Sequence, residues 1–202
     1  VYEGNESGIV AISGVSGADA AESGSQSVTI TITENESSPT ITLTSSASSI
    51  TENAGSSLTL TATSSIVADE DITVSISTSG TGTEGTDYAT ISDITISAGA
   101  TTGTANFTPT DDSVYEGNET GIVAISGVSG ADAAESGSQS VTITINDNEA
   151  TPTVTLTVSA TSIAENAGSS LTLTATSSIV SGSDITVTLS TSGTATEGTD
   201  YG

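Results

Sequence analysis

The sequence predicts an all-β protein built from tandem immunoglobulin-like sandwiches, each with seven antiparallel strands. Three observations support this fold class. Apolar residues alternate with Thr and Ser at a period of two, and no segment has a convincing helical period. Connections rich in Gly and Ser separate the short alternating runs. The third observation is an internal repeat, which sets the size of each sandwich.

The repeat has a period of 113 residues, because the segment that begins Val1-Tyr-Glu-Gly-Asn-Glu recurs from Val114. Residues 1–89 and 114–202 are identical at 73 of 89 positions. An acidic stretch followed by Pro39 or Pro152 marks the border between units. The sequence therefore predicts three parts: 1–36, the C-terminal part of one unit with strands F and G; 37–149, a complete unit; and 150–202, strands A to C and the C–D loop of the next unit. We expect the chain to be an excerpt of a longer array.

Seven alternating runs of the complete unit are predicted as strands A to G. They are A (40–44), B (57–62), C (71–76), D (93–96), E (104–108), F (121–125) and G (140–145). Their inward positions predict the hydrophobic core, with Thr on the outer faces. The predicted core residues are Leu58, Leu60, Val74, Ile76, Ile94, Ile96, Phe107, Val123, Ile125, Val141, Ile143 and Ile145.

Charge and composition exclude several functions. The 202 residues include 25 Asp plus Glu and no Lys, Arg, His or Cys, which gives a formal charge of −25. Nothing in the chain can neutralise phosphates, so nucleic-acid binding is excluded. Imidazole, ammonium and thiolate chemistry is absent, so we expect no enzyme. Disulfides and zinc sites are excluded for the same reason, and no apolar run is long enough to span a membrane.

The acidic residues of the complete unit are concentrated in every second connection between strands. In a seven-strand antiparallel sandwich, the A–B, C–D and E–F connections and the end of strand G lie at one pole. Seven carboxylates are therefore expected to converge there, together with the amide of Asn148. They are Glu52, Asp87, Asp111, Asp112, Glu116, Asp147 and Glu149.

We expect such a cluster to bind a cation. Two carboxylates about 4 to 6 Å apart repel each other by roughly 1 kcal/mol in water, and by more where water is excluded. The chain has no basic side chain to relieve that repulsion. Many oxygen ligands on loops suit Ca²⁺, which accepts six to eight oxygens in flexible geometry, better than they suit Mg²⁺. We predict more than one Ca²⁺, with some carboxylates bridging.

Four motifs in this order carry a family resemblance: Glu52-Asn-Ala-Gly, Gly82-Thr-Glu-Gly-Thr-Asp-Tyr, Asp111-Asp-Ser-Val-Tyr-Glu-Gly-Asn-Glu and Asp147-Asn-Glu. The unit resembles the Calx-beta domain of sodium/calcium exchangers, integrin β4 and bacterial surface proteins. The resemblance implies a Ca²⁺ cluster at the distal pole, held by the seven carboxylates. Asn148 stands where strong binders of the family have a third consecutive acid, which implies fewer ions or weaker binding.

Other acidic and apolar residues have plainer interpretations. The acids of the opposite pole (Asp69, Glu70, Asp71, Asp132 and Glu135) are expected to be solvated, with completion of a neighbouring unit's ion site as the alternative. Ile122 and Ala124 are predicted to point outward on strand F. Because they recur in each unit, lateral association between chains stays open.

The function expected from these features is mechanical. We expect an extracellular or cell-surface repeat protein, a Ca²⁺-stiffened filament or adhesin stalk in which the bound ion fixes the junction between units. Its partners would be neighbouring units of the same chain or identical subunits. The main alternative is a Ca²⁺-sensing regulatory or ligand-binding module. A polysaccharide-binding surface protein is disfavoured, because the chain is acidic and has no Trp.

Overall fold

A computed structural model describes residues 1–166 and 168–202. The first segment forms one hairpin, β1 (Glu6–Ala11) and β2 (Ser27–Ile32). The central segment contains β3 (Thr40–Ser45), β4 (Ser49–Thr51), β5 (Leu58–Ser64), β6 (Ile72–Gly80), β7 (Ile94–Ile96), β8 (Thr102–Phe107), β9 (Val114–Tyr115), β10 (Glu119–Ser129), β11 (Ala134–Glu135) and β12 (Ser140–Asn146). The last segment contains β13 (Val154–Val158), β14 (Leu173–Ser177) and β15 (Val180–Ser181).

The central segment is a two-sheet sandwich. One sheet has the order β4-β12-β10-β6-β7 and the other has the order β11-β3-β5-β8. The predicted strands A to G correspond to β3, β5, β6, β7, β8, β10 and β12. The all-β immunoglobulin-like class is therefore confirmed. Two edge pairings differ from the prediction because they are parallel: β4 pairs with β12, and β11 pairs with β3.

The core lies between the two sheets. Nine of the twelve predicted core residues are buried, and Leu58, Ile76 and Val141 are half-buried against them. Several further buried residues were not among the predicted core; they lie on strand A, at the start of strand C, on the short β4 and in loops, and include Ile41, Leu43, Ile50, Ile72, Tyr88 and Ile91. Ile122 and Ala124 are half-buried rather than fully outward.

An aromatic pair closes the acidic end of the core. The rings of Tyr88 and Phe107 stack with centroids 4.6 Å apart, and both side chains are almost fully buried. Gly121 of β10 lies directly against the Phe107 ring, since a Cβ at this position would come within 2.7 Å of it. The pair therefore packs the C–D connection and the end of β8 against β10.

The two flanking segments repeat parts of the central unit. The hairpin β1–β2 has the register of β10–β12, with Glu6 opposite Ile32 as Glu119 is opposite Ile145. In the last segment β13 pairs with β14, whereas residues 184–189 are not assigned as strand. The equivalent β6 pairs with β10 and β7, and the matching partners of 184–189 would lie beyond residue 202.

Helices contribute little to the described structure. Its one helical element is a 3-10 turn at Glu52–Ala54, which follows β4. A search of the described residues finds no helix with the length and apolar character needed to cross a membrane.

The packing at Gly121 gives a first prediction. Gly121→Ala should destabilise the protein by about 1–3 kcal/mol, because the added methyl group must displace the Phe107 ring from a close-packed core. Gly8→Ala is the matched control, since Gly8 is the equivalent residue of the first segment and has nothing within 4 Å of the added Cβ. The control should change stability by less than about 0.5 kcal/mol. Chemical denaturation measures both effects, and equal effects would contradict this packing.

Candidate metal centre

Four connections meet at one pole of the central sandwich. They are the 3-10 turn after β4, the loop from β6 to β7, the loop from β8 to β10, and the chain that leaves β12. Each contributes a carboxylate: Glu52 from the turn, Asp87 from the second connection, Glu116 from the third and Asp147 from the last. The antiparallel order of the strands brings these distant residues together.

The first acidic group consists of Glu52, Asp147 and Glu149, with one carboxylate oxygen of each within 4.8 Å of the others. Glu52 is only 5% exposed. One oxygen of Asp147 accepts hydrogen bonds from the backbone N–H groups of Glu116 and Gly117, and its other oxygen accepts one from the N–H of Glu149 at 2.8 Å. Backbone hydrogen bonds therefore hold the Asp147 carboxylate in place without a bound ligand.

The second acidic group consists of Asp87, Glu116 and Glu119, again with oxygens within 4.8 Å of one another. Asp87 is 9% exposed. Its carboxylate accepts a hydrogen bond from the N–H of Thr83 at 2.6 Å, and its carbonyl accepts one from the N–H of Thr110 at 2.9 Å. Asp87 is thus held by its carboxylate within its own loop and by its carbonyl to the β8–β10 loop.

Asp111 and Asp112 lie beside these groups rather than in them. Both are exposed. Asp111 lines a small cavity next to Glu52, and Asp112 accepts a hydrogen bond from the N–H of Val114 at 2.7 Å. Both lie near enough for their charges to influence members of the first group.

Three buried carboxylate oxygens at this pole have no hydrogen-bond partner within the described residues. They belong to Glu52, Glu119 and Glu149, so each acidic group contains at least one. A buried acceptor without a donor is costly, and a charged one is more costly still. Asp87 and Asp147 accept hydrogen bonds from backbone N–H groups. The unpartnered oxygens of Glu52, Glu119 and Glu149 are therefore the ones suited to bind a cation.

The pKa values reflect this environment. Burial, followed by the charges of Asp147 and Glu149, raises the pKa of Glu52 to about 7. Burial, followed by the charges of Asp87 and Glu116, raises the pKa of Glu119 to about 7. For Asp147 burial acts in the same direction, but the three backbone N–H groups outweigh it and lower the pKa. Negative charge is thus favoured on Asp147, which has hydrogen-bond donors, and disfavoured on Glu52 and Glu119, which each have a buried oxygen without one.

The structure brings together five of the seven predicted residues: Glu52, Asp87, Glu116, Asp147 and Glu149. Asp111 and Asp112 lie nearby. The role of all seven as ligands stays a prediction.

Glu119 was not among the predicted site residues. Strand F was predicted from residue 121, whereas β10 begins at Glu119. Alternation continued backward from the inward Val123 and Gly121 reaches Glu119, so the signal was present in the parity of the strand.

Acids of the connections and the opposite pole hold loops in place. Glu84 accepts hydrogen bonds from the Thr78 hydroxyl at 2.6 Å and the Ile91 N–H at 2.8 Å. Glu70 accepts one from the N–H of Ala131, and Asp71 accepts one from the N–H of Ala98. None of these three belongs to either acidic group among the described residues.

The Calx-beta domain family matches residues 34–149 and again residues 147–202. The chain belongs to the Calx-beta domain family. The two adjacent matches agree with tandem Calx-beta repeats. Among curated proteins, none matches the chain.

Solved structures of Calx domains resemble parts of this Calx-beta chain. One is described as CBD12 from CALX1.2, with 18% identity, a TM-score of 0.44, and coverage of 50% of this chain and 41% of that one. Another is described as the apo form of the Calx CBD1 domain, with 20% identity, a TM-score of 0.43, and coverage of 54% of this chain and 98% of that one. The chain therefore spans about two fifths of the first structure and almost all of the second.

The raised pKa values predict an unusual pH dependence for the cation-free protein. The pKa of Glu52 and Glu119 is about 7 in the folded state and 4.5 ordinarily, so their stabilising protonation is complete below 4.5 and is lost as pH rises through 7. The melting temperature in chelator should therefore fall by a few degrees between about pH 5 and pH 8.

Two comparisons test this interpretation by thermal unfolding. Glu119→Gln should flatten the decline, because the side chain can no longer become charged. A divalent cation should reverse it, since bound metal favours the deprotonated carboxylates. Melting temperatures in chelator that rise over the same pH range would contradict the assignment.

Proposed function

We propose that this chain is a segment of an extracellular Ca²⁺-binding repeat array that works as a stiffened filament or adhesin stalk. The observation that carries the proposal is the set of three buried, unpartnered carboxylate oxygens at one pole of a chain that has no basic side chain. Family membership supports it. The site lies where one unit continues into the next.

The two acidic groups indicate two ion positions. Glu52, Asp147 and Glu149 would hold one cation, and Asp87, Glu116 and Glu119 would hold the other. Asp111 and Asp112 would complete the shells from the exposed side. Ca²⁺ supplies a double positive charge and accepts many oxygen ligands, which suits carboxylates from four connections. Asn148 offers an amide oxygen at most, in keeping with its expected weakening effect.

The proposed stiffening follows from the path of the chain. Strand β12 ends at Asn146, and the next residue, Asp147, binds the backbone of the β8–β10 loop. The following residues lead to Pro152 and β13 of the next unit. A cation held by Asp147 and Glu149 would therefore immobilise the start of the connection between units. Successive units would then form a stiff rod instead of a flexible chain.

An extracellular setting and a non-catalytic role complete the proposal. A chain without Lys or Arg offers no cleavage site to trypsin-like proteases, and one without Cys or Met offers little to oxidise. Its high negative charge keeps strand edges of different chains apart. Adhesion to a surface would belong to other parts of the polypeptide.

A Ca²⁺-sensing regulatory module is the second candidate, and the family match is the observation that favours it. Near-identical tandem units favour the array instead, because a spacer gains from each added copy whereas a sensor needs one or two. The number of units in the full gene distinguishes them: many units indicate a filament or stalk, and two indicate a sensor.

Calcium should stabilise the fold strongly. At a hundredfold excess over Kd, one ion that binds only the folded state adds about 2.7 kcal/mol. For a unit of this size we expect the melting temperature in Ca²⁺ to exceed that in chelator by on the order of 10 °C. Differential scanning calorimetry with Ca²⁺, Mg²⁺ and chelator measures the effect. Equal midpoints in Ca²⁺ and chelator would overturn the ion-binding proposal and leave the fold intact.

Glu119 should contribute directly to the affinity. Glu119→Gln should weaken Ca²⁺ binding at least about tenfold, since even a residue that only orients a ligand typically contributes that much. Glu6→Gln is the matched control, because Glu6 is the equivalent residue of the first segment, is exposed, and belongs to neither acidic group. Isothermal titration calorimetry compares the two variants, and equal affinities would exclude Glu119 as a ligand.

A further inference from the structure

The loop before β1 contacts the central sandwich through Tyr2. Tyr2 comes from the segment equivalent to the β8–β10 loop, yet it is 7% exposed and belongs to the hydrophobic core of the central unit. It packs in the same cluster as Ala68 and Ala131, which are buried residues of the β5–β6 and β10–β11 connections. A residue of one repeat thus fills a recess in the next.

Backbone and side-chain hydrogen bonds fix Tyr2 in this recess. Its N–H donates to the carbonyl of Val67 at 2.9 Å, and its carbonyl accepts from the N–H of Asp69 at 3.1 Å. These bonds form a parallel β-bridge between Tyr2 and Ala68. At the far side of the ring, the Tyr2 hydroxyl donates to the Asp132 carboxylate at 2.8 Å.

The same bridge recurs one repeat later. Val114 and Tyr115 form β9, which pairs in parallel with Val180 and Ser181 of β15. The N–H of Gly182 donates to the carbonyl of Tyr115 at 2.9 Å, as that of Asp69 does to Tyr2. In both junctions the partners are 66 residues apart, from Tyr2 to Ala68 and from Tyr115 to Ser181. The contact therefore follows the repeat.

The backbone that forms the recess has an unusual conformation. Ala131 and Asp132 have φ values of 51° and 49°, in the left-handed region that non-glycine residues seldom adopt. The N–H of Ala131 donates to Glu70, and a Cβ on the preceding Gly130 would lie 2.1 Å from the carbonyl oxygen of Asp71. The equivalent Ala18 and Asp19 of the first segment have φ values of 51° and 54°, although a Cβ on the preceding Gly17 would have nothing within 4 Å. The turn therefore adopts this backbone without those contacts.

We infer that this tyrosine is the latch between successive repeats: the Val-Tyr-Glu-Gly loop of each unit docks in a preformed recess of the following unit. The recess takes an aromatic ring with a terminal hydroxyl, lined by Ala68 and Ala131 and closed by Asp132. Its partner is the preceding copy of the same unit.

The latch and the acidic pole share one loop. Directly after Tyr2, the N–H groups of Glu3 and Gly4 donate to the Glu34 carboxylate at 2.6 and 2.8 Å, as those of Glu116 and Gly117 donate to Asp147. At the second junction, a Cβ on Gly182 would lie 3.0 Å from the Glu116 side chain. Transmission of stiffness through this loop rests on the proposed function, whereas the docking of the ring does not.

Distance measurements between spin labels test the latch in the full chain. The chain has no cysteine, so paired Cys substitutions are labelled uniquely. Thr29→Cys with Thr142→Cys marks equivalent exposed positions of successive units, and Thr95→Cys with Thr142→Cys is the control pair within one unit. Without a latch, domains joined by small interfaces move freely.

We expect a narrow distance distribution for the inter-unit pair. Tyr2→Ala should broaden it about twofold, because the loop loses its anchor. Tyr2→Phe should broaden it less, since the ring stays buried and only the bond to Asp132 is lost. Tyr201→Ala, which changes a tyrosine remote from this junction, should leave it unchanged.

An unchanged width in Tyr2→Ala would overturn the inference. Equal broadening of the control pair would overturn it as well, since Tyr2 would then support the unit and not the junction. Recording both pairs in Ca²⁺ and in chelator separates the two proposals. If only the calcium proposal fails, Ca²⁺ changes neither width and Tyr2→Ala still broadens the first.

Discussion

Negative charge without a counter-charge is the constraint on which the rest of the structure depends. The sandwich brings carboxylates from four connections to one pole, and no Lys, Arg or His exists to neutralise them. Backbone N–H groups relieve Asp147, and Asp87 is relieved by Thr83. Buried oxygens of Glu52, Glu119 and Glu149 remain without donors. The fold thus creates an electrostatic cost that a divalent cation is suited to offset.

One loop connects this constraint to the architecture of the array. In the Val-Tyr-Glu-Gly segment, the tyrosine reaches forward into the next repeat while the following two N–H groups bind an acid at the end of strand G. At the first junction Tyr2 contacts the following unit, and Glu34 accepts the two hydrogen bonds. At the second junction Tyr115 and Asp147 have the same roles. The loop that contacts the following repeat thus also binds the acid at the end of strand G.

The repeated sequence also separates local from long-range determinants of structure. The hairpin β1–β2 has the register of β10–β12, and the repeat gives both hairpins the same connection, which helps to set that register. Residues 184–189 repeat the sequence pattern of β6 yet are not assigned as strand. Their ladder partners come from distant parts of a complete unit, so pattern is insufficient there.

The sequence by itself determined the repeat, the seven strands, most of the core and the pole where acids converge, because alternation and loop parity are local properties of the chain. Only the tertiary structure decided the rest. It divided the acids into two groups, since that division depends on how the loops fold over the sheet ends. It also buried Tyr2 in the neighbouring unit, a contact that no periodicity within one repeat encodes.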